Sequence, residues 1–356
     1  MAQKSHKLSP DRHRKSKAPE LRSAMLRVLD RRIVSKGDVV FPCVPALAGQ
    51  YAAKLLETWA SLGRKFSDAE AEQLRRALAD VQFAGYRSSP HALLLVSWEA
   101  EPPPSAHLRY RLEIKAQTIE DEFNDWVKVR SAPLFGALPD AKVIHLAAEL
   151  GDPSSVPVLD IGAGTGRNAV PLARLGHPTD ALEIVPALCD QMRQTLASEV
   201  LPMRVIEADF LADDPSLEQA RYRLAVLSEV VTHFRDVEQL RDAFSKLSDA
   251  LAPGGVLLFN TFLGVGGYQP DAVAQQVAYS SLSSLFSRAD LDFLEKDLPF
   301  EKVSDESAHD FEKAHLPPAA RPPTSWYVSW SRGRNVFDVP EGKAPVELRW
   351  LVYRRR

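Results

Sequence analysis

The chain has 356 residues, 45% of them hydrophobic and 26% charged, with a formal net charge of -3. That length suits two domains with buried cores, and that balance gives no global reason to expect a nucleic-acid or membrane partner. No apolar run approaches the ~18 to 20 residues of a membrane span, and two cysteines, Cys43 and Cys189, make neither a disulfide framework nor a thiolate metal site. A reducing, cytoplasmic location is expected, and no metal.

Basic residues crowd the start of the chain, from Lys4 to Lys36, against only Asp11, Glu20 and Asp30. Residues 1–20 read as a disordered basic tail, either a solvated leader or a contact for an acidic partner or import machinery. Residues 21–131 read as a separate α+β segment, a candidate lid or docking module. Leu21, Met25, Val28 and Leu29 suggest a short helix, and Tyr51, Leu55, Leu56 and Trp59 a second over 46–62. Ser67-Asp-Ala-Glu70 has capping-box order and opens a third. The runs 91–98 and 108–116, parted by Glu-Pro-Pro-Pro-Ser, predict a hairpin, and Thr118-Ile-Glu-Asp121 caps a helix carrying Phe123, Trp126 and Val127.

After a break at 133–139, a helix is expected over 140–150, and residues 132–356 form the second domain. Strand and helix now alternate, which predicts a parallel sheet with right-handed crossovers. Strands are expected at 157–161, 179–182, 204–207, 222–228 and 255–262, with helices at 168–175, 186–198, 215–219 and 236–251. Further on, 279–298 reads as helix, 300–308 as extended and 346–353 as a last strand.

The first of these strands breaks into Asp160-Ile-Gly162-Ala163-Gly164-Thr-Gly166-Arg167-Asn168 and then a helix. Alternate glycines permit positive φ and close approach of the backbone to a ligand, beside the free N–H groups of a helix start. A dinucleotide fingerprint would require its third glycine at position 167, where this chain has arginine. In an open parallel sheet the ligand lies across the carboxyl ends of the strands. Four strands end there in polar groups: Asp160, Glu183, Asp209 and Ser228-Glu229.

The D-x-G-x-G-x-G order with these strand ends resembles the class I S-adenosylmethionine-dependent methyltransferases, over about residues 140–262. The resemblance implies an α/β fold with a doubly wound, seven-stranded, mostly parallel sheet, the sixth strand and an antiparallel seventh coming from 300–353. It implies that Gly162, Ala163, Gly164, Gly166 and Asn168 pack against the methionine part of S-adenosylmethionine. Glu183, with Ile184 beside it, would accept from the ribose hydroxyls, Asp209 from the adenine amino group with Phe210 beside the ring, and Asp160, Ser228 and Glu229 would complete the site. The segment Glu229-Val-Val-Thr-His233-Phe234 resembles one common after strand four in members acting on small molecules. His233 and Glu229 are therefore the candidate acid–base residues, although His233 could equally line the cofactor pocket by hydrogen bonding. His233, Asn260 and Trp326 are the candidate acceptor contacts, with Tyr327 and Trp330 as further aromatic walls. The expected acceptor is an oxygen or nitrogen of a small molecule. Methylation of a docked protein, or a non-catalytic cofactor-binding scaffold, are the alternatives, and a nucleic-acid acceptor is disfavoured.

Overall fold

The structure is a computed structural model that describes residues 17–356 except 31, 33–34, 90, 102–104, 106, 130–132, 212–216 and 341. Of the twenty residues expected as a basic tail, the first sixteen lie outside that set and Ala18–Glu20 begin a helix. The chain divides into two compact units, the first comprising residues 1–41, 47–84 and 93–115, the second 42–46, 85–92 and 116–356. None of the helices is long and apolar enough to cross a membrane, among the described residues.

The first unit contains α1 (Ala18–Asp30), β1 (Lys36–Pro42) as far as residue 41, α2 (Ala48–Ser61), α3 (Asp68–Ser88) as far as residue 84, β2 (Leu93–Ala100) and β3 (Leu108–Lys115), the last turn of α3 belonging to the second unit. The capping box at the start of α3 forms as the sequence predicts: Ser67 N–H donates to Glu70 Oε2 at 2.8 Å and Glu70 N–H to Ser67 Oγ at 3.3 Å. The expected hairpin is β2 against β3, antiparallel from Leu93 opposite Lys115 to Ala100 opposite Leu108. The sequence reading missed β1, which completes a three-stranded sheet in the order β1-β2-β3. Its Gly37 lies against Trp98, where a Cβ would come within 2.6 Å of the indole. Trp59 of α2 is fully buried and stacks on Phe66 and Tyr110 at 5.2 and 5.3 Å.

The second unit begins its regular structure with α4 (Ile119–Val129) and α5 (Ala141–Glu149), then alternates β4 (Val158–Ile161), α6 (Ala169–Arg174), β5 (Thr179–Glu183), α7 (Pro186–Ser198), β6 (Met203–Glu207), β7 (Tyr222–Leu227), α8 (Val237–Ala250) and β8 (Leu251–Gly264). There follow α9 (Ala272–Tyr279), β9 (Leu285–Phe286), α10 (Phe293–Lys296), β10 (Phe300–Ser307), α11 (Ala308–His315), α12 (Tyr327–Ser331) and β11 (Val346–Arg355). The sheet runs β10-β11-β8-β7-β4-β5-β6, with the two-residue β9 beside β8. β4 to β8 are parallel, and β11 is antiparallel to both β8 and β10. This is the expected seven-stranded doubly wound sheet with one reversed strand.

Strands buried on both faces send alternate residues to two cores. Leu159, Ala225, Leu227, Leu257 and Phe259 meet Leu240, Phe244 and Leu247 of α8, while Val158, Leu224, Val226 and Leu258 meet Val143 and Leu146 of α5. From β4 the chain builds outward to β5 and β6, then returns to add β7 on the other side. The carboxyl ends of β4 and β7 therefore flank the point where strand order reverses, and a crevice opens there.

Two helix expectations fail. Residues 279–298 are not one helix but a turn, β9 and short helical pieces. Leu282 has φ of +52° and Ser284 is tied by its N–H to Thr232 O and by its hydroxyl to Phe234 O, so long-range pairing overrides helical spacing. Of the helix expected at 215–219, residues 215 and 216 lie outside the described set and 217–219 are not helical.

Candidate functional site

The chain must leave β4 and turn at once into α6, and the three glycines make that possible. Gly162, Gly164 and Gly166 have φ of +65°, +58° and +82°. A Cβ on Gly162 would stand 2.5 Å from Val230 Cγ2, so the loop presses directly on the segment after β7. Gly162 and Ala163 N–H donate to Leu182 O at 2.8 and 3.1 Å, which ties the loop to β5.

Glu183 closes β5 and is 4% exposed. Its Oε2 accepts from Gly164 N–H at 2.8 Å and its Oε1 from Val185 N–H at 2.9 Å. Burial raises its pKa while these backbone donors oppose the rise. A carboxylate has roughly four acceptor directions, so it retains capacity toward the cleft it lines.

Asp160, 2% exposed, closes β4 with Oδ2 lacking a hydrogen-bond partner among the described residues. Its pKa is pushed up to about 7, chiefly by burial and then by Asp140 and Glu183, against the pull of Arg167. A buried acceptor left unsatisfied in a cleft wall calls for a donor or a cation from a ligand.

Behind the loop lies a charged network. Arg167 bonds both oxygens of Asp140, at 2.5 and 3.0 Å, and Glu229 at 3.1 Å. Asp140 also accepts from Asn168 Nδ2 at 3.0 Å and Ser228 Oγ at 2.6 Å. Glu229 adopts a left-handed φ of +62°, and its N–H donates to Asn260 Oδ1 at 2.7 Å. Burial pushes the Glu229 pKa up to about 7 despite Arg167. Such strain in a non-glycine residue persists only where the surroundings over-determine it.

After β6, Asp209 Oδ1 accepts from Leu211 N–H at 2.8 Å, which folds the chain into a turn and presents Phe210. Lys246 Nζ caps Phe210 O and Leu211 O at 2.9 and 3.2 Å.

A cleft of about 1480 Å³ gathers these groups, all from the second unit. Asp160, Gly162, Ala163, Gly164, Asn168, Glu183, Ile184, Asp209, Phe210, Ser228, Glu229, His233 and Trp326 line it, as does Trp330. Gly166, Asn260 and Tyr327 do not. Gly166 faces Val170 and Met192, Asn260 spends its amide oxygen on Glu229, and Tyr327 is buried in the core beside the Val143 layer. Asn260 thus fixes the backbone at Glu229 and does not touch the cleft.

Sequence reasoning missed Asp140, read only as a helix start, and Arg167, read only as an absent glycine. It also missed Phe135, Tyr279, His91 and Glu122, which line the same cleft. His233 stands edge-on to Phe123 at 5.5 Å, and Phe123 meets Trp126 and Phe135 at 5.1 and 6.0 Å. No local pattern signals these partners, because each is supplied by a different element.

Comparison with known proteins places names beside this geometry. Residues 158–255 match the family model described as a methyltransferase domain. No curated protein gives a significant match. Among solved structures, the chain is similar to the geranyl diphosphate C-methyltransferase from Streptomyces coelicolor A3(2), with 15% identity, 61% of this chain and 77% of that one covered, and a TM-score of 0.46. It is similar to a putative sarcosine dimethylglycine methyltransferase from Galdieria sulphuraria, with 19% identity, coverage of 60% and 84%, and a TM-score of 0.45. A third is the CcbJ methyltransferase from Streptomyces caelestis, with 18% identity, coverage of 65% and 95%, and a TM-score of 0.43.

Proposed function

The chain carries a methyltransferase domain of the class I, S-adenosylmethionine-dependent type, and on that premise we propose that it methylates an oxygen or nitrogen of a small molecule held in the cleft. The observation that carries this reading is the cleft itself. At about 1480 Å³ it exceeds the ~300 to 1,000 Å³ usual for one ligand, and it has a carboxylate-rich edge and an aromatic end. One edge suits the cofactor and the other an acceptor.

The cofactor edge fits its occupant on two counts: the backbone at Gly162 and Gly164 has no side chain to hold a ligand off, and Asp160 Oδ2 lacks a donor. In this reading Glu183 accepts from the ribose hydroxyls, Asp209 from the adenine amino group, and Phe210 and Ile184 flank the ring. Asp160 faces the cationic portion. Asn168 and Ser228 hold Asp140, which holds Arg167, which holds Glu229. When bound, S-adenosylmethionine supplies an electrophilic methyl group on a sulfonium. The chain's own task is then to orient the acceptor, exclude water and remove a proton where the acceptor carries one. Orientation can supply up to ~7 to 11 kcal/mol of such a barrier. Two buried free cysteines accord with a reducing, cytoplasmic location.

Incubation with methyl-tritiated cofactor and a cell extract, split by size, tests the acceptor class. Label in solutes of low mass is expected. Label confined to polypeptide or nucleic acid would overturn the small-molecule reading.

A further inference from the structure

His91 stands in the aromatic end of the cleft between a carboxylate and a phenol. Its Nδ1 lies 3.5 Å from Glu122 Oε2, an ion-pair distance, and its Nε2 lies 3.2 Å from the Tyr279 hydroxyl. All three line the cleft. Glu122 comes from α4, Tyr279 from the end of α9, and His91 from the stretch between α3 and β2, so three separate elements converge on one imidazole.

We infer that Glu122 and His91 form the general base of the transfer and that the acceptor is a flat apolar molecule bearing a dissociable hydroxyl, a phenol in class. The inference rests on the methyl-transfer reading above. Burial drives the Tyr279 phenol well above its ordinary value, so it stays protonated and donates. The carboxylate of Glu122 can only accept, so it draws Nδ1–H toward it and leaves the Nε2 lone pair to the Tyr279 hydroxyl on the cleft side. An acceptor hydroxyl that replaces Tyr279 at Nε2 gives up its proton there. The O–H bond breaks, the N–H bond forms, and Glu122 stabilises the imidazolium until the proton passes to solvent.

His233, the base expected from sequence, suits this step less well. It is buried with Nδ1 unpartnered among the described residues, and burial, with His91 next, lowers its pKa to about 4. It stays neutral and serves as a hydrogen-bonding wall. The groups that face His91 are Glu122, Tyr279 and His233, and those acting on the Tyr279 hydroxyl are Tyr86, Arg235, Asp236 and Glu122.

The shape of the acceptor follows from Phe123, Trp126 and Phe135. A Cβ on Gly164 would lie 3.3 Å from the Phe135 ring, and Phe123 links Phe135 to His233. A continuous aromatic row therefore runs from the glycine loop to the histidines, and a planar ring packs against it better than a flexible polar solute.

The test uses the full chain saturated with S-adenosylhomocysteine and the chromogenic probes 4-nitrophenol and 4-nitro-1-naphthol. Calorimetry on the same samples reports cofactor binding and so folding. Below the pH at which the free probe ionises, wild type is expected to bind it with the absorbance of the phenolate. His91→Asn should lower the bound phenolate fraction about tenfold, and Glu122→Gln should lower it less. If the variants bind S-adenosylhomocysteine yet His91→Asn leaves the phenolate band unchanged, or if wild type binds that cofactor but neither probe, the inference is overturned. Failure of wild type to bind S-adenosylhomocysteine would instead strike the reading beneath it. A merely structural bridge from Glu122 through His91 to Tyr279 would not alter the probe's ionisation.

Discussion

Arg167 holds both oxygens of Asp140, at 2.5 and 3.0 Å, and lies where a dinucleotide-binding turn would place its third glycine. The side chain that spoils one fingerprint is the centre of another arrangement. It crosses behind the glycine loop and joins the start of α5 to the strained residue after β7, Glu229, at 3.1 Å. The two strand ends at the sheet's reversal point are thereby fixed by one buried cation.

Replacement of that cation by a neutral side chain of similar reach leaves the buried Asp140 and the partly buried Glu229 without an opposing charge, although Asn168 and Ser228 still donate to Asp140. Arg167→Met should cost about 3 to 5 kcal/mol in urea unfolding. A cost below ~1 kcal/mol would mean that the network is solvated and does not hold the loop.

The glycine loop separates two kinds of cost. Gly162 and Gly254 both have left-handed φ, +65° and +75°, but only Gly162 would bring a Cβ against a neighbour, Val230 at 2.5 Å. Gly254→Ala should lose roughly 1 to 2 kcal/mol from backbone strain alone, and Gly162→Ala measurably more. Equal losses in chemical unfolding would contradict the packing described for the loop.

Asp160 makes a prediction about pH. Its folded pKa is about 7, above the ~3.9 of an unfolded aspartate. Between those values the folded chain keeps a proton that the unfolded chain has released, so stability falls as pH rises through the window and the loss is complete above it. Glu229 and Glu312, also raised to about 7, act in the same direction. Asp160→Asn removes one contributor, so its stability relative to wild type should grow between pH 4 and pH 8, while its cofactor affinity drops. A difference in urea midpoint that stays constant with pH would show that Asp160 ionises normally.

The parts of this site that were legible in the sequence are local ones. Glycines at 162, 164 and 166 follow directly from the turn that β4 must make, and Glu183 and Asp209 follow from where apolar runs stop. What escaped was set by distance in the chain. Asp140 looks like any helix cap until Arg167 arrives from 27 residues away. His91, Glu122 and Tyr279 have no shared spacing at all. β1 escaped because Gly37 breaks its strand pattern, and its place is fixed by the Trp98 ring that the glycine admits. The stretch 279–298 carries apolar residues at helical intervals, yet Ser284 bonds to Thr232 and Phe234 and Leu285–Phe286 pairs with β8.

The central claim is that the carboxyl edge of β4, β5 and β6 holds S-adenosylmethionine, with Glu183 both bracing the loop and receiving the ribose. Isothermal titration of S-adenosylhomocysteine into wild type and Glu183→Ala tests it most directly. Wild type should bind at one site, and the variant at least about tenfold more weakly, a loss of about 1.4 kcal/mol or more. Folded wild-type protein that gives no binding at high micromolar ligand, or a variant that binds equally well, would contradict it.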